Sequence, residues 1–296
     1  MVWVMYFRET MMRTGLLLSA FATFAIAATA HSAQAQTGIA FITDVKGEAG
    51  LDAGKASLMA EIRQGARINC VKECAVGVMY LLSGKEYVLK GPGDFLVGDN
   101  EVTAKVGAPP TVRETKWKVS SQVVAQASQA SSASIRMRSL GAAKTEVSMP
   151  AERLLYPRDT NVATLQPAFR WTSANTKGPF EFELKASGSA KPVYKAKAST
   201  MNLNLPDNIK LQPDLEYSWA VKSGATYVGM TSFKTLPAAD IDFAKTRKPG
   251  LRAEFSDWLL YGLTLKQVGA DQDAGEIWVK LAKDRPDLPE LAALAR

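Results

Sequence analysis

The feature that most limits the fold of this chain is a train of short apolar runs broken by glycine and charge. They are Ile39–Val45, Ala66–Ile68, Ala75–Leu82, Glu86–Leu89, Phe95–Val97 and Val102–Val106. Turn signals such as Ser83-Gly84-Lys85 and Gly91-Pro92-Gly93 stand between them. Regular spacing of this kind predicts an antiparallel, all-β module. In the run Ala75–Leu82, Val76, Val78 and Tyr80 alternate with Ala75, Gly77 and Met79. Both faces of that strand are largely apolar, which predicts a central position in its sheet.

Cys70 and Cys74 lie at the turn before this strand. In an oxidising compartment their spacing predicts a structural, hairpin-closing disulfide, with the chain turning at Val71-Lys72-Glu73 to bring the Cα atoms within about 6 Å. A loop this short stabilises by only about 2 kcal/mol through chain entropy. The spacing is not Cys-x-x-Cys and no helix start follows, so a redox-active pair is disfavoured.

The order Val45-Lys46-Gly47-Glu48-Ala49, Gln64-Gly65-Ala66-Arg67-Ile68, Ala75–Leu82, Ser83-Gly84-Lys85 and Leu89-Lys90-Gly91-Pro92-Gly93 resembles the FecR-like domain of bacterial envelope proteins. That resemblance implies a small periplasmic β-domain used as an interaction module, here spanning residues 36–115. Regulators of that family carry a cytosolic anti-sigma segment and a membrane span ahead of the domain. This chain has an export signal there instead, which argues against a direct anti-sigma role.

The signal covers residues 8–35: Arg8 and Arg13 form a positive start, Gly15–Ala30 is apolar, and Ala33-Gln34-Ala35 is a small-x-small cleavage site. The expected mature start is Gln36 and the expected location is periplasmic. The paired Met11 and Met12 leave the translation start open among these and Met1. The apolar stretch falls short of the roughly 20 residues that cross a bilayer, and no later segment is long and uncharged enough to span one. No cysteine follows the small residues to accept a lipid anchor.

The only histidine, His31, lies in this leader. Its removal excludes Ser-His-Asp and Cys-His nucleophiles and His-containing zinc sites, and two cysteines are too few for an all-Cys zinc site. No metal or cofactor is expected. Loss of Arg8, Arg13 and Glu9 takes the formal charge from +7 to +6, a mild excess that suits contact with anionic envelope polymers but is also that of an ordinary basic protein. No recognition-helix or zinc-finger pattern is present, so a nucleic-acid partner is not expected. The densest basic cluster, Lys245, Arg247, Lys248 and Arg252 around Pro249-Gly250, reads as a solvated linker.

Residues 116–150 form a Ser/Ala/Gln-rich linker. Within them, residues 120–134 hold six serines, four alanines and three glutamines, leaving only Val123 and Val124 as larger apolar groups. A flexible tether is the first reading, and a surface helix its rival. Strands then return over 151–237. Phe169 and Trp171 flank Arg170, Phe180, Phe182 and Leu184 alternate with glutamates, Leu203 and Leu205 flank Asn204, and Tyr217, Trp219 and Val221 alternate with Ser218, Ala220 and Lys222. This period of two buries one face of each strand against an opposite sheet. The segment Leu211–Val221 resembles the tyrosine corner of fibronectin type III domains, which implies an Ig-like sandwich and a bond from Tyr217 back to the preceding turn. Trp171 and Trp219 fit a core better than a sugar-stacking platform.

After Pro237 the pattern becomes helical, over 238–296. Phe255, Leu259 and Leu263 recur every four residues, with Trp258, Tyr261 and Leu265 on the same broad face. Gly269 ends this helix, and Asp271 is placed to cap a second running to about Lys283. Trp258, Gly262, Ala274, Trp278 and Pro286 fall on the spacing of the tetratricopeptide repeat, with Tyr261 and Leu265 replacing its leucine and tyrosine. The resemblance implies a helical hairpin with Trp258 and Trp278 as packing positions, or as a partner-facing surface. Arrays need about three repeats, so one hairpin with a short third helix from Leu288 must dock on the sandwich, on another chain or on itself.

Asp271–Glu276 fails as a calcium loop because glycine stands fifth rather than sixth and Ala282 occupies the twelfth position. No Walker loop, dinucleotide fingerprint or serine-hydrolase elbow is present. The expected fold is therefore multidomain and mainly β: a FecR-like β-domain, an Ig/fibronectin III-like sandwich and a C-terminal α-hairpin. The expected function is that of a non-enzymatic periplasmic scaffold binding envelope proteins, in support of a signalling sensor. A peptidoglycan or polysaccharide binder is the alternative. A carboxylate-pair hydrolase needs no histidine, but it needs a large cleft that domains of about 90 residues rarely supply.

Overall fold

A computed structural model describes residues 38–139, 152–174 and 177–295, which belong to one unit. The export signal, His31 and Gln36 lie outside the described residues. The architecture is mainly β, with several antiparallel sheets and C-terminal helices.

Ten strands build the first β-body: β1 Ala40–Lys46, β2 Ala49–Leu51, β3 Gly54–Lys55, β4 Glu61–Ile62, β5 Arg67–Cys70, β6 Ala75–Tyr80, β7 Lys85–Lys90, β8 Gly93–Val97, β9 Val102–Val106 and β10 Thr111–Glu114. They form two five-stranded sheets, ordered β10-β7-β6-β1-β4 and β3-β2-β5-β8-β9. The two-faced strand β6 is central in the first. Val76, Val78 and Tyr80 join Ile42 and Leu89 against Ile68, Phe95 and Val97 of the second sheet. On the opposite face, Phe41 and Met79 enter a different core, shared with the helices. A sheet buried on both sides needs apolar residues at both phases of the alternation, and β6 supplies them.

The Cys70–Cys74 disulfide is formed, with Cα atoms 5.5 Å apart, but it does not close a hairpin. β5 and β6 belong to different sheets, so the bridge fastens the crossover from one layer to the other. Local periodicity cannot separate the two cases, because a hairpin turn and an inter-sheet corner both follow an alternating run. Glu73 takes φ +62° to make the corner. Gly91 packs beneath it, donating its N–H to the Cys74 carbonyl at 2.9 Å. A Cβ on Gly91 would overlap the Val71 carbonyl oxygen. The glycine before Pro92 is thus required by the disulfide corner above it.

The second β-body contains β11 Glu152–Tyr156, β12 Thr160–Val162, β13 Ala168–Ser173, β14 Phe180–Ala186, β15 Pro192–Ala198, β16 Asn202–Asn204, β17 Glu216–Ser223 and β18 Thr226–Thr235. Three strands, β11-β13-β16, face five, β12-β18-β17-β14-β15. The core between them is aromatic. Phe169 meets Phe182, Trp219 and Phe233 edge-on with centroids 4.8, 5.2 and 5.8 Å away. Trp171 and Trp219 are both buried in it, and the Trp219 indole donates to the Pro157 carbonyl at 2.7 Å. Neither ring is available to stack on a sugar. The Gln212 N–H donates to the Tyr217 hydroxyl at 2.8 Å, tying β17 to the turn ahead of it.

Among the described residues, five helices complete the fold: α1 Ser121–Ser139, α2 Ala238–Arg247, α3 Phe255–Gln267, α4 Asp271–Asp284 and α5 Pro289–Leu294. Within the expected linker, residues 121–139 form α1, not a flexible tether, and residues 140–150 lie outside the described residues. Val124, Ala127 and Ser131 make a buried stripe at helical spacing, and α1 lies against α5 and α3. Alanine and glutamine favour helix, and small residues let neighbouring helices approach closely, so a shortage of large apolar groups does not prevent docking. Lys245 and Arg247, assigned above to a solvated linker, sit in the last turn of α2. Asp271 does not cap α4. Ala270 is the N-cap and Asp271 the first helical residue, its carboxylate accepting from Lys266 Nζ at 2.5 Å.

Candidate functional site

The helices occupy the junction of the two β-bodies and are joined to each by buried polar groups. On the first body, Glu86 of β7 is only 2% exposed. Its Oε1 accepts from Thr43 Oγ1 at 2.6 Å, and its Oε2 accepts from Arg113 Nε at 2.9 Å and from Arg113 Nη2. The same guanidinium reaches α3, donating to Asp257 Oδ2 at 2.9 Å and Ser256 Oγ at 2.8 Å. Asp257 Oδ1 accepts the indole N–H of Trp117 at 3.0 Å. Burial works against the Arg113 charge, but its bonds to Asp257 and Glu86 outweigh that and hold its proton more tightly than usual. A second fastening runs from Arg285, at the end of α4, to Asp44 Oδ1 and the Val45 carbonyl, both at 2.6 Å.

On the second body the contact centres on Asp273, in the first turn of α4. One carboxylate oxygen accepts the Tyr156 hydroxyl and the other the Ala163 N–H at 2.9 Å. Burial pushes the Asp273 carboxyl up, while the Ala163 and Tyr156 bonds and the Arg170 and Lys248 charges oppose it. The Tyr156 hydroxyl is driven far above its ordinary range by burial, then by the Asp273 charge. Gln272 donates to the Leu155 carbonyl at 2.7 Å and accepts the Arg158 N–H at 3.0 Å. Glu276 pairs with Arg170. The acidic stretch Asp271–Glu276, rejected above as a calcium loop, is a clamp on the sandwich. Its partners are distant in sequence, and a tyrosine and a backbone amide carry no local signature of such a role.

The two tryptophans singled out in the helical end have different surroundings. Trp278 is buried against Gly262, where a Cβ would lie 2.4 Å from the indole. Glycine at that point is therefore what lets α3 and α4 close together. Trp258 is half-buried, edge-on to Tyr261 with centroids 6.2 Å apart, and Lys280 Nζ stands 3.8 Å above its ring.

Beside Trp278 opens a groove of about 1170 Å³, bounded by α1, α4, α5 and the β11–β12 edge of the sandwich. Its apolar lining includes Ala127, Ala130, Gly275, Val279, Ala293 and Leu294. Val279 is 55% exposed, an unusual position for a valine on an amphipathic helix. Of the acids lining the groove, Glu276 is paired with Arg170 and Asp271 with Lys266, while Asp159 accepts only the neutral Thr231 hydroxyl and keeps its charge. Arg158 and Lys283 line it without a carboxylate partner among the described residues, and Lys280 is held only by the Trp258 ring. The uncompensated charge of the groove is positive.

Among the described residues, no three His, Cys, Asp or Glu side chains are grouped to hold a metal ion. Among the same residues, no helix is long and apolar enough to cross a membrane. No protein-family model matches the chain, and no curated protein matches it.

Proposed function

We propose that this chain is an exported, non-enzymatic interaction protein of the periplasm, which receives an envelope protein partner in the groove between α1, α4, α5 and the sandwich. The observation that carries this reading is the groove itself. An apolar floor with an exposed valine and a rim of uncompensated cations suits an acidic, partly apolar protein segment. The clamps to both β-bodies give such a surface a fixed frame, which reduces the ordering cost of binding.

The architecture is compatible with the finer assignments. The paired five-stranded sheets, with Gly47 and Gly91 packed at the disulfide corner, suit a FecR-like module. The three-plus-five strand order and the Tyr217–Gln212 bond suit a fibronectin III-like sandwich. The Gly262–Trp278 contact suits a tetratricopeptide-like hairpin. In this reading all three serve to build and orient one binding surface, and the periplasmic location rests on the export signal.

A photocrosslinking residue in place of Val279, in the native envelope, tests the proposal. A discrete protein adduct is expected, and it should disappear in a K280E/K283E background while a crosslinker at the exposed Leu251 gives none. Absence of a protein adduct at Val279, or adducts to polysaccharide alone, would overturn it.

A further inference from the structure

A second cleft, of about 520 Å³, lies on a different face of α4, where the loop after β12 meets α2, α3 and α4. Leu165, Ile241, Leu265 and Ile277 give it an apolar lining. Tyr261 also lines it. Tyr261 is 8% exposed, and its hydroxyl has no hydrogen-bond partner among the described residues. Burial, then the Asp273 charge, push this phenol up to about 12, so it remains a neutral donor at ordinary pH.

Three ammonium groups line the same cleft: Lys210, Lys245 and Lys248. None has an ion-pair partner within 4.0 Å among the described residues. Of the carboxylates there, Glu276 is paired with Arg170, and the buried Asp273 accepts from Tyr156 and Ala163 and feels the Lys248 charge. Only Asp242 is uncommitted. Two of these lysines come from the basic cluster that sequence alone assigned to a linker. Helix α2, which carries Lys245 and is capped by Lys248, instead places both on the cleft that Lys210 lines, more than 30 residues away in the chain.

We propose that this cleft binds a small amphiphilic anion, a carboxylate or phosphate carried on an apolar body. The head lies among Lys210, Lys245 and Lys248, and the body lies on Leu165, Ile241, Leu265 and Ile277. Tyr261 supplies the neutral donor. The volume falls in the roughly 300–1,000 Å³ range of small-molecule sites, and an apolar lining with a few convergent polar groups is their usual construction. The site lies on another face of α4 from the groove proposed for a protein partner, sharing only Glu276 among the lining residues, and does not rest on that proposal.

Calorimetric titration of the whole chain with decanoate, decanol and inorganic phosphate, below the micelle concentration, tests the proposal. Decanoate is expected to bind once per chain. Decanol, which lacks the charge, and phosphate, which lacks the apolar body, should each bind at least about tenfold more weakly, the scale of one charge-assisted hydrogen bond or a few buried methylenes. The K210Q/K245Q variant should lose about tenfold in decanoate affinity with an unchanged melting temperature, since both side chains are exposed. No decanoate binding, equal binding of decanol or of phosphate, or unchanged affinity in that variant would each overturn the proposal.

Discussion

The two β-bodies share a two-layer construction, yet they meet the helices in opposite ways. The first contributes Phe41, Met59, Met79 and Trp117 to a core that continues into Leu259, Leu263 and Trp278 of the helices. The sandwich keeps its aromatic core to itself; it sends only Leu236, with the partly buried Ala163 and Leu165, into the helical core and meets α4 mainly through polar groups, with Asp273 at the centre. The first body and the helices are thus one hydrophobic unit, divided in sequence by the sandwich. The difference shows that adjacency along the chain does not identify which domains share a core. A strand that is apolar at both phases, such as β6, is the better guide.

The strongest way to break this contrast is Arg113→Met. It leaves the buried Glu86 without its ion-pair partner and severs the link to Asp257, and removing one member of a buried pair typically costs about 3–5 kcal/mol. Urea unfolding should show that loss in the transition of the first body and helices, with the near-ultraviolet signal of the sandwich tryptophans lost last. If the sandwich signal falls in step with the rest, the two regions do not differ as described.

A smaller and complementary effect is expected for Tyr156→Phe. It strips one bond from the Asp273 carboxylate, for about 1–3 kcal/mol. Hydrogen exchange should quicken at the Leu155–Ala163 and α4 seam, while amides of β1 and β6 keep wild-type protection. Faster exchange throughout the first body would contradict the contrast.

The smallest effect concerns alkaline pH. The Tyr261 phenol is raised to about 12 in the folded state against an ordinary 10.0. The unfolded chain therefore gives up this proton first, so the contribution is intact below pH 10 and is lost as pH rises from 10 towards 12. The slope approaches about 1.4 kcal/mol per pH unit at most. Comparing urea midpoints at pH 8 and 11 for wild type and Tyr261→Phe should show a smaller alkaline loss in the variant. An equal loss in both would remove Tyr261 from the account.

Much of the strand pattern was legible because it is local. The six apolar runs of the first body all became strands, and the alternation around Phe182 and Trp219 marks faces that are buried as the period requires. The helix pair around Gly269 was equally plain, and that glycine takes φ +80°. What stayed hidden is non-local. Nothing near Cys70 says that β5 and β6 lie in different sheets. Arg113 sits in the polar segment Thr111–Glu114, which carries no apolar signal, although its guanidinium is the main bolt to α3. Helix α1 was half legible: its composition allows a helix, but the stripe Val124, Ala127, Ser131 is too small in bulk to announce a docked face. The candidate groove is the least legible feature, since it exists only where four separate segments meet.

The shared core also fixes an order of events during synthesis. The apolar outer face of the first sheet, with Phe41 and Met79, is made early, but the helices that cover it, α3 to α5, are the last part of the described chain to emerge. Until they arrive, that face is open to solvent and to other chains, whereas the sandwich has its own core complete by Thr235. Losing the last forty or so residues would therefore damage the beginning of the fold more than its middle.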